Sequence, residues 1–233
     1  MITTPQTNAA RIAVLDHGYV DCVEYWGSEE RIIEAARMST GKGFMGWETD
    51  QKLLTYLYTH NHSTPFEMAG MIIEVKAPIF VFREWHRHRT QSYNEMSARY
   101  IPLPDENYIP SIERLMMQGG ANKQAQSAGT TLTVGDASRF RIGLVAAYEQ
   151  TQKLYAEAVA AGVPKELARL PVPVARYSRM RASANLRNWL AFLTLRMSPN
   201  AQWEIQQYAL AVGTLIASRF PRTWALFQEG CPK

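Results

Sequence analysis

The stretch MIIEVKAP, Met71 to Pro78, constrains the fold more than any other. Ile73 and Val75 alternate with Glu74 and Lys76, and a period of two gives a strand one apolar face and one charged face. Such a strand belongs in a sheet covered on one side only, which is the habit of antiparallel and mixed sheets rather than of a parallel sheet buried on both faces. Pro78 stops it. The residues that follow, IFVFREWHRHR, fit a helix on which Arg83 and Arg87 lie four apart, as do Glu84 and His88.

The rest of the chain supplies more of both kinds of element. Residues 11–26, RIAVLDHGYVDCVEYW, are rich in β-branched and aromatic types around Gly18 and read as two short strands or a hairpin. Ser28 caps a predicted helix that ends at Gly41, and TDQKLLTYLYTHNH carries Leu53, Leu54, Leu57 and Tyr58 on one helical stripe. In STPFEM, Thr64 and Glu67 have capping-box spacing, with Pro65 at the first helical position. Residues 118–136 hold only Leu132 and Val134 as large apolar groups and read as a mobile surface insertion. After them come a long helix closed by Gly162 and a short helical turn, VPKELARLPVPV, stopped by two prolines. The segments NLRNWLAFLTLR, PNAQWEIQQYALAVGTLIASRF and PRTWALFQEG are read as helices, the second opening on Pro199. The expectation is a single α+β domain over residues 1–233, a small antiparallel or mixed sheet flanked by helices, with a mainly helical C-terminal third.

Several function classes are argued against by what the chain lacks. No apolar run is long enough to span a bilayer, and the start, MITTPQTNAARIAVL, has no basic region followed by an apolar core and a small-residue cleavage site, so a cytoplasmic protein is expected. Cys22 and Cys231 have no close spacing that would make a metal knuckle or a disulfide framework. No Gly-x-Gly-x-x-Gly follows a strand, and STGKGF lacks the residues of a phosphate loop. The pairs His60/His62 and His86/His88 sit two apart, on opposite sides of a helix, with no third ligand spaced to help, so no metal is expected.

The cations carry more information. The 18 Arg outnumber the 7 Lys, and Arg is favoured where a planar fork must grip phosphate or carboxylate. They are densest in REWHRHRTQSYNEMSARY, Arg83 to Tyr100. A solvated basic face and a nucleic-acid patch both account for the first half of this stretch. Its second half offers hydroxyls, an amide and a carboxylate, which suit the edges of a heterocycle better than a phosphate track, and an ordered binding loop is expected there rather than a helix.

The segment RHRTQSYNEMSARY resembles the signature of the flavin-dependent thymidylate synthases: Arg-His-Arg, two variable residues, a Ser, and a closing Ser-x-Arg-Tyr. The likeness extends through HNHSTPFE, KAPIFVFREW, YIPSIERL, GVPKELAR and AQWEIQQYAL, in that order, over most of the chain. It implies an α+β homotetramer with active sites shared between subunits, acting on small molecules and not on nucleic acid or membrane. The implied reaction is a methyl transfer that converts dUMP to dTMP with FAD as cofactor, and NADPH and methylenetetrahydrofolate as co-substrates.

The resemblance also implies roles for residues. His62, Thr64, Glu67, Arg87, His88, Arg89, Asn94, Glu95, Asn185 and Arg187 match positions that bind FAD. Glu84, Arg87, Glu95, Met96, Ser97, Ala98, Arg99, Arg169 and Arg196 match positions that bind the nucleotide, the loop from Glu95 to Arg99 coming from another subunit. Arg196 matches the Arg that activates the uracil ring, and Ser97 is the hydroxyl at the base, expected to hydrogen-bond rather than to attack. Glu84 stands where several members have Gln, Ala191 where some have a polar residue, and Asn200 where His is common.

Overall fold

The structure, a computed structural model, describes residues 11–117 and 132–230. Among the described residues five strands form one sheet in the order β1-β2-β3-β5-β4, with every neighbouring pair antiparallel: β1 (Ile12–Val14), β2 (Gly18–Trp26), β3 (Gly70–Pro78), β4 (Ser92–Glu95) and β5 (Tyr177–Asn185). The helices are α1 (Glu29–Ala36), α2 (Trp47–Thr59), α3 (Ile79–Trp85), α4 (Ile112–Met116), α5 (Val134–Ala160), α6 (Lys165–Ala168), α7 (Leu186–Arg196), α8 (Trp203–Arg219) and α9 (Pro221–Gly230).

The period-two reading of β3 holds in three dimensions. Met71, Ile73, Val75 and Ala77 are fully buried, joined by Val20 and Cys22 of β2 and Met180 and Ala182 of β5, while Glu74 and Lys76 point the other way. The buried face packs against α3, α7 and α8, where Phe82, Trp85, Trp189, Phe192, Tyr208 and Ile216 fill the core. Gly18 fits this contact because a side chain there would meet the Tyr208 hydroxyl at 2.0 Å and the Val14 carbonyl oxygen at 2.6 Å. That hydroxyl donates to the Lys76 carbonyl oxygen at 2.9 Å, tying α8 to the sheet.

The structure corrects some of the expected elements. The nine-residue β5 was not foreseen, and it sits between β3 and β4. Its inward positions are the small Ser178, Ala182 and Ala184 together with Met180, alternating with exposed Arg179 and Arg181, a pattern too weakly apolar to read as a strand. α3 stops at Trp85, so Arg87 and His88 lie beyond the helix in a tight turn. Ser92–Glu95 is an edge strand, and the expected loop begins at Met96. Thr64 makes no capping box: it is the first residue of a short 3₁₀ segment, Thr64–Met68, whose cap position is Ser63 with no side-chain cap bond, and Glu67 pairs with Arg187 instead. α8 begins at Trp203 rather than Pro199. Residues 118–131 of the expected insertion lie outside the described residues, but its last part belongs to α5, which starts at Val134 with a capping box between Thr133 and Asp136.

Candidate active site

α7 carries the two ends of the candidate site. Asn185 caps it, its Oδ1 accepting from the Asn188 amide at 2.9 Å, and Arg196 closes it. Over 11 residues the two ends lie about 16 Å apart. At the C-terminal end, Arg196 Nη1 donates to Glu84 Oε2 at 2.6 Å and Nη2 to the Glu84 carbonyl oxygen at 2.7 Å. Its Nε donates to His88 Nε2 at 2.9 Å. A guanidinium has five N–H donors, so two remain for another partner.

His88 is held to match. Its ring lies edge-on to Phe192, with centroids 4.9 Å apart. Burial, reinforced by the Arg196 charge and only partly offset by Glu84, lowers its pKa to about 4. A neutral ring that accepts at Nε2 carries its proton on Nδ1. The backbone around it is fixed by the Tyr93 hydroxyl, which donates to the His88 carbonyl oxygen at 2.6 Å, and by Asn188 Nδ2, which donates to the Thr90 carbonyl oxygen at 3.0 Å. Trp85 Nε1 donates to Gln91 Oε1 at 3.1 Å beneath the same turn. The turn thus aims His88 inward while Arg87 and Arg89 project outward, exposed and without an ion pair among the described residues.

At the N-terminal end of α7, Arg187 Nη1 donates to Glu67 Oε1 at 2.6 Å. Beside this pair lies a cavity of about 570 Å³ between α2, the Thr64–Met68 turn, α7 and α9; Asn61, Ser63, Phe66, Arg187 and Ala191 are among its lining residues. His62 and Thr64 are exposed and are not among its lining residues, and His62 lies edge-on to Tyr56 with centroids 5.5 Å apart.

A third group forms around the loop after β4. The Met96 amide donates to the Arg179 carbonyl oxygen at 2.8 Å, and the Tyr100 amide to the Ser97 carbonyl oxygen at 3.1 Å, which curls the loop around buried Ala98. Arg99 pairs with Glu166 of α6 at 3.1 Å, and Lys165 Nζ donates to the Tyr100 carbonyl oxygen at 2.8 Å. Arg169, exposed at the end of α6, projects from the same region. Asn94, Glu95 and Met96 line a cavity of about 280 Å³ with Glu74, Arg179 and Arg181.

One chain therefore unites Glu84 with His88 and Arg196, and Glu67 with Arg187, but it does not merge all three groups. Asn94 pairs across the ladder with Arg181, on the sheet face opposite the helices, whereas Arg196 belongs to a helix packed on the inner face. Sequence reasoning missed the roles of Asn188, Lys165 and Glu166, which orient the site through contacts between distant segments; Lys165 and Glu166 lie in GVPKELAR, but nothing in that segment shows their partners. Among the described residues no group of three or more His, Cys, Asp or Glu side chains is placed to hold a metal ion, and no helix is long and apolar enough to cross a membrane.

Residues 21–222 match the family described as thymidylate synthase complementing protein. A flavin-dependent thymidylate synthase of Thermus thermophilus is 41% identical over 218 residues, covering 94% of this chain and 78% of that protein. That of Thermotoga neapolitana is 38% identical over 217 residues, covering 93% of this chain and 94% of that protein. Among solved structures, a UMP/dUMP methylase, PolB from Streptomyces cacaoi bound with 5-Br dUMP, superposes with a TM-score of 0.83 at 30% identity, covering 94% of this chain and 98% of the other.

Proposed function

The chain belongs to the flavin-dependent thymidylate synthase family, and from that premise we propose that it methylates dUMP reductively to dTMP. FAD is the resident cofactor, methylenetetrahydrofolate the one-carbon donor and NADPH the reductant. The observation that carries the reading is the Arg196 cluster. A guanidinium whose side chain is 14% exposed, fixed by Glu84 and His88 and keeping two donors, is a preorganised electrostatic group of the kind that stabilises developing negative charge.

The residues present suit an anionic dinucleotide. Arg87 and Arg89 have no carboxylate partner among the described residues and can meet a pyrophosphate, while Arg187 borders the larger of the two cavities described above. Asn61 and Ser63 add polar groups to its wall. Reduced flavin supplies the hydride that the methylation consumes. The chain's own tasks are then binding, orientation and polarisation. Arg196 polarises the uracil ring as negative charge grows on its amide and carbonyl groups. His88, neutral and accepting, holds the Arg196 Nε so that the plane of the fork is set before substrate arrives. Ser97 hydrogen-bonds the base, and Arg99 with Arg169 takes the phosphate.

No thiol is needed for this chemistry. Cys22 is 8% exposed and burial raises its pKa, the opposite of an activated nucleophile; Cys231 lies outside the described residues.

The reading includes a homotetramer with shared sites. It is supported by the opposite sheet faces of Asn94 and Arg196, since one copy's outer face and another's Arg196 can meet only across an interface. The exposed apolar residues Phe140, Ile142 and Leu154 of α5, with Leu167 of α6 and Leu170 just after it, offer material for that interface. The enzyme works in the cytoplasm on small molecules, with no role for nucleic acid.

The test is the colour of the protein purified with added FAD. A yellow protein with flavin absorbance is expected, and a colourless one that refuses added FAD overturns the proposal.

A further inference from the structure

Arg176 is the one arginine with a fully buried side chain among the described ion pairs, and it lies outside every group above. Its Nη1 donates to the Pro104 carbonyl oxygen at 2.6 Å and lies 3.1 Å from Asp105 Oδ1. Its Nη2 donates to Gln152 Oε1 of α5 at 2.8 Å. The backbone repeats the connection: the Tyr177 amide donates to the Glu106 carbonyl oxygen and the Tyr108 amide to that of Ala175, both at 2.9 Å. Two segments meet here. Pro104 follows the Glu95–Arg99 loop, and Arg176 follows the α6 arm that carries Arg169.

Stability alone does not account for a guanidinium in this place. Arg176 Nε, Asn107 Oδ1 and Ser178 Oγ are buried without a hydrogen-bond partner among the described residues. A buried ion pair replaced as a whole by apolar side chains of similar volume often leaves stability unchanged or higher, so burial of a guanidinium is weak evidence that it is there for stability. Under-satisfied polar groups retained in a core are where a fold concedes stability to function. What this guanidinium does is tie the base of the arm, on which it sits, to two other segments at once: the exit of the loop and the side of α5.

We propose that Arg176 is a positioning residue for nucleotide binding, fixing the distance between the loop bearing Ser97 and Arg99 and the arm bearing Arg169, so that both meet one phosphorylated nucleoside. The inference rests on the nucleotide-binding reading of those residues. Arg176 itself touches no substrate. It acts by holding two cationic groups in register, and small displacements of binding groups are enough to cost a hundredfold.

Arg176→Met and Gln152→Leu test it in the FAD-loaded holoenzyme, with Arg169→Ala as reference. In Arg176→Met, the KM and the calorimetric Kd for dUMP are expected to rise about tenfold or more, with kcat at saturating dUMP within about threefold and the flavin spectrum unchanged, while the melting temperature falls because the Pro104 carbonyl and Gln152 lose their buried donor. Gln152→Leu moves dUMP affinity in the same direction by less. Wild-type dUMP affinity in a folded Arg176→Met protein, while Arg169→Ala loses it, overturns the role of Arg176 alone. If Arg176→Met fails to fold, unchanged dUMP affinity in Gln152→Leu overturns it instead. Wild-type affinity in Arg169→Ala as well sinks the nucleotide reading beneath it.

Discussion

The Arg196 guanidinium and the Glu84 carboxylate, 112 residues apart in the chain, meet at 2.6 Å, and the same guanidinium donates to the Glu84 carbonyl oxygen at 2.7 Å. The end of α7 is thereby closed onto the end of α3, with His88 as the third corner. The arrangement makes Arg196 a fixed donor whose charge is partly compensated before any ligand arrives.

Arg196→Lys keeps the charge and loses the fork, and Arg196→Ala loses both. Each is expected to lower kcat on the order of a hundredfold or more with bound flavin retained. A cation at a helix C-terminus contributes about 0.3–1 kcal/mol to stability and nothing to turnover. Near-normal turnover in either variant therefore reduces Arg196 to that lesser role.

Glu84→Gln preserves an oxygen acceptor for Nη1 and removes the countercharge. With less compensation, Arg196 stabilises developing negative charge more strongly, so kcat at saturating dUMP is expected to stay level or rise by a few-fold. The stability change should stay within about 1 kcal/mol, because the Glu84 side chain is 40% exposed and such pairs are screened. A tenfold loss of turnover in stably folded protein contradicts this view of Glu84.

His88 gives the structure a pH signature. Its pKa falls from 6.5 unfolded to about 4 folded, because burial first and the Arg196 charge second disfavour the protonated ring. Between these values the unfolded chain binds more protons, so the contribution of His88 to stability is present above pH 6.5 and is lost as pH falls toward 4. His88→Gln removes this titration. The melting temperature of the wild type should drop more steeply than that of the variant across that window, and parallel profiles would show that His88 is not held neutral.

Replacing Cys22 by Ala and Cys231 by Ser removes both thiols of the chain. Turnover is expected to survive largely intact, since hydride chemistry on a polarised ring needs no thiolate. Loss of all activity in the folded double variant would instead point to a cysteine nucleophile.

The central strand and the helix stripes are legible because burial imposes periods of 2 and 3.6 on apolar residues, as Ile73 and Val75 or Leu54 and Leu57 show. β5 escaped because its inward positions are small, and its alternating Arg179 and Arg181 resemble a solvated stretch. Thr64 differs for another reason: the turn starts one residue earlier than capping-box spacing implies, with Ser63 at its cap position, and Glu67 pairs with a guanidinium 120 residues away, which local sequence cannot show. The signature residues were visible in the sequence, but Arg187 and Arg196 gained meaning only from their partners across the fold. Arg176 carried no local signal of any kind.

The most direct measurement is the full stoichiometry of the reaction: purified protein with FAD, dUMP, methylenetetrahydrofolate and NADPH, with every product quantified. If the reducing hydride comes from NADPH by way of the cofactor, each dTMP formed consumes one NADPH, the folate leaves as tetrahydrofolate, and omission of either FAD or NADPH stops turnover. Production of dTMP with dihydrofolate as the folate product and no need for NADPH, or no dTMP at all from protein that holds flavin, would contradict the account.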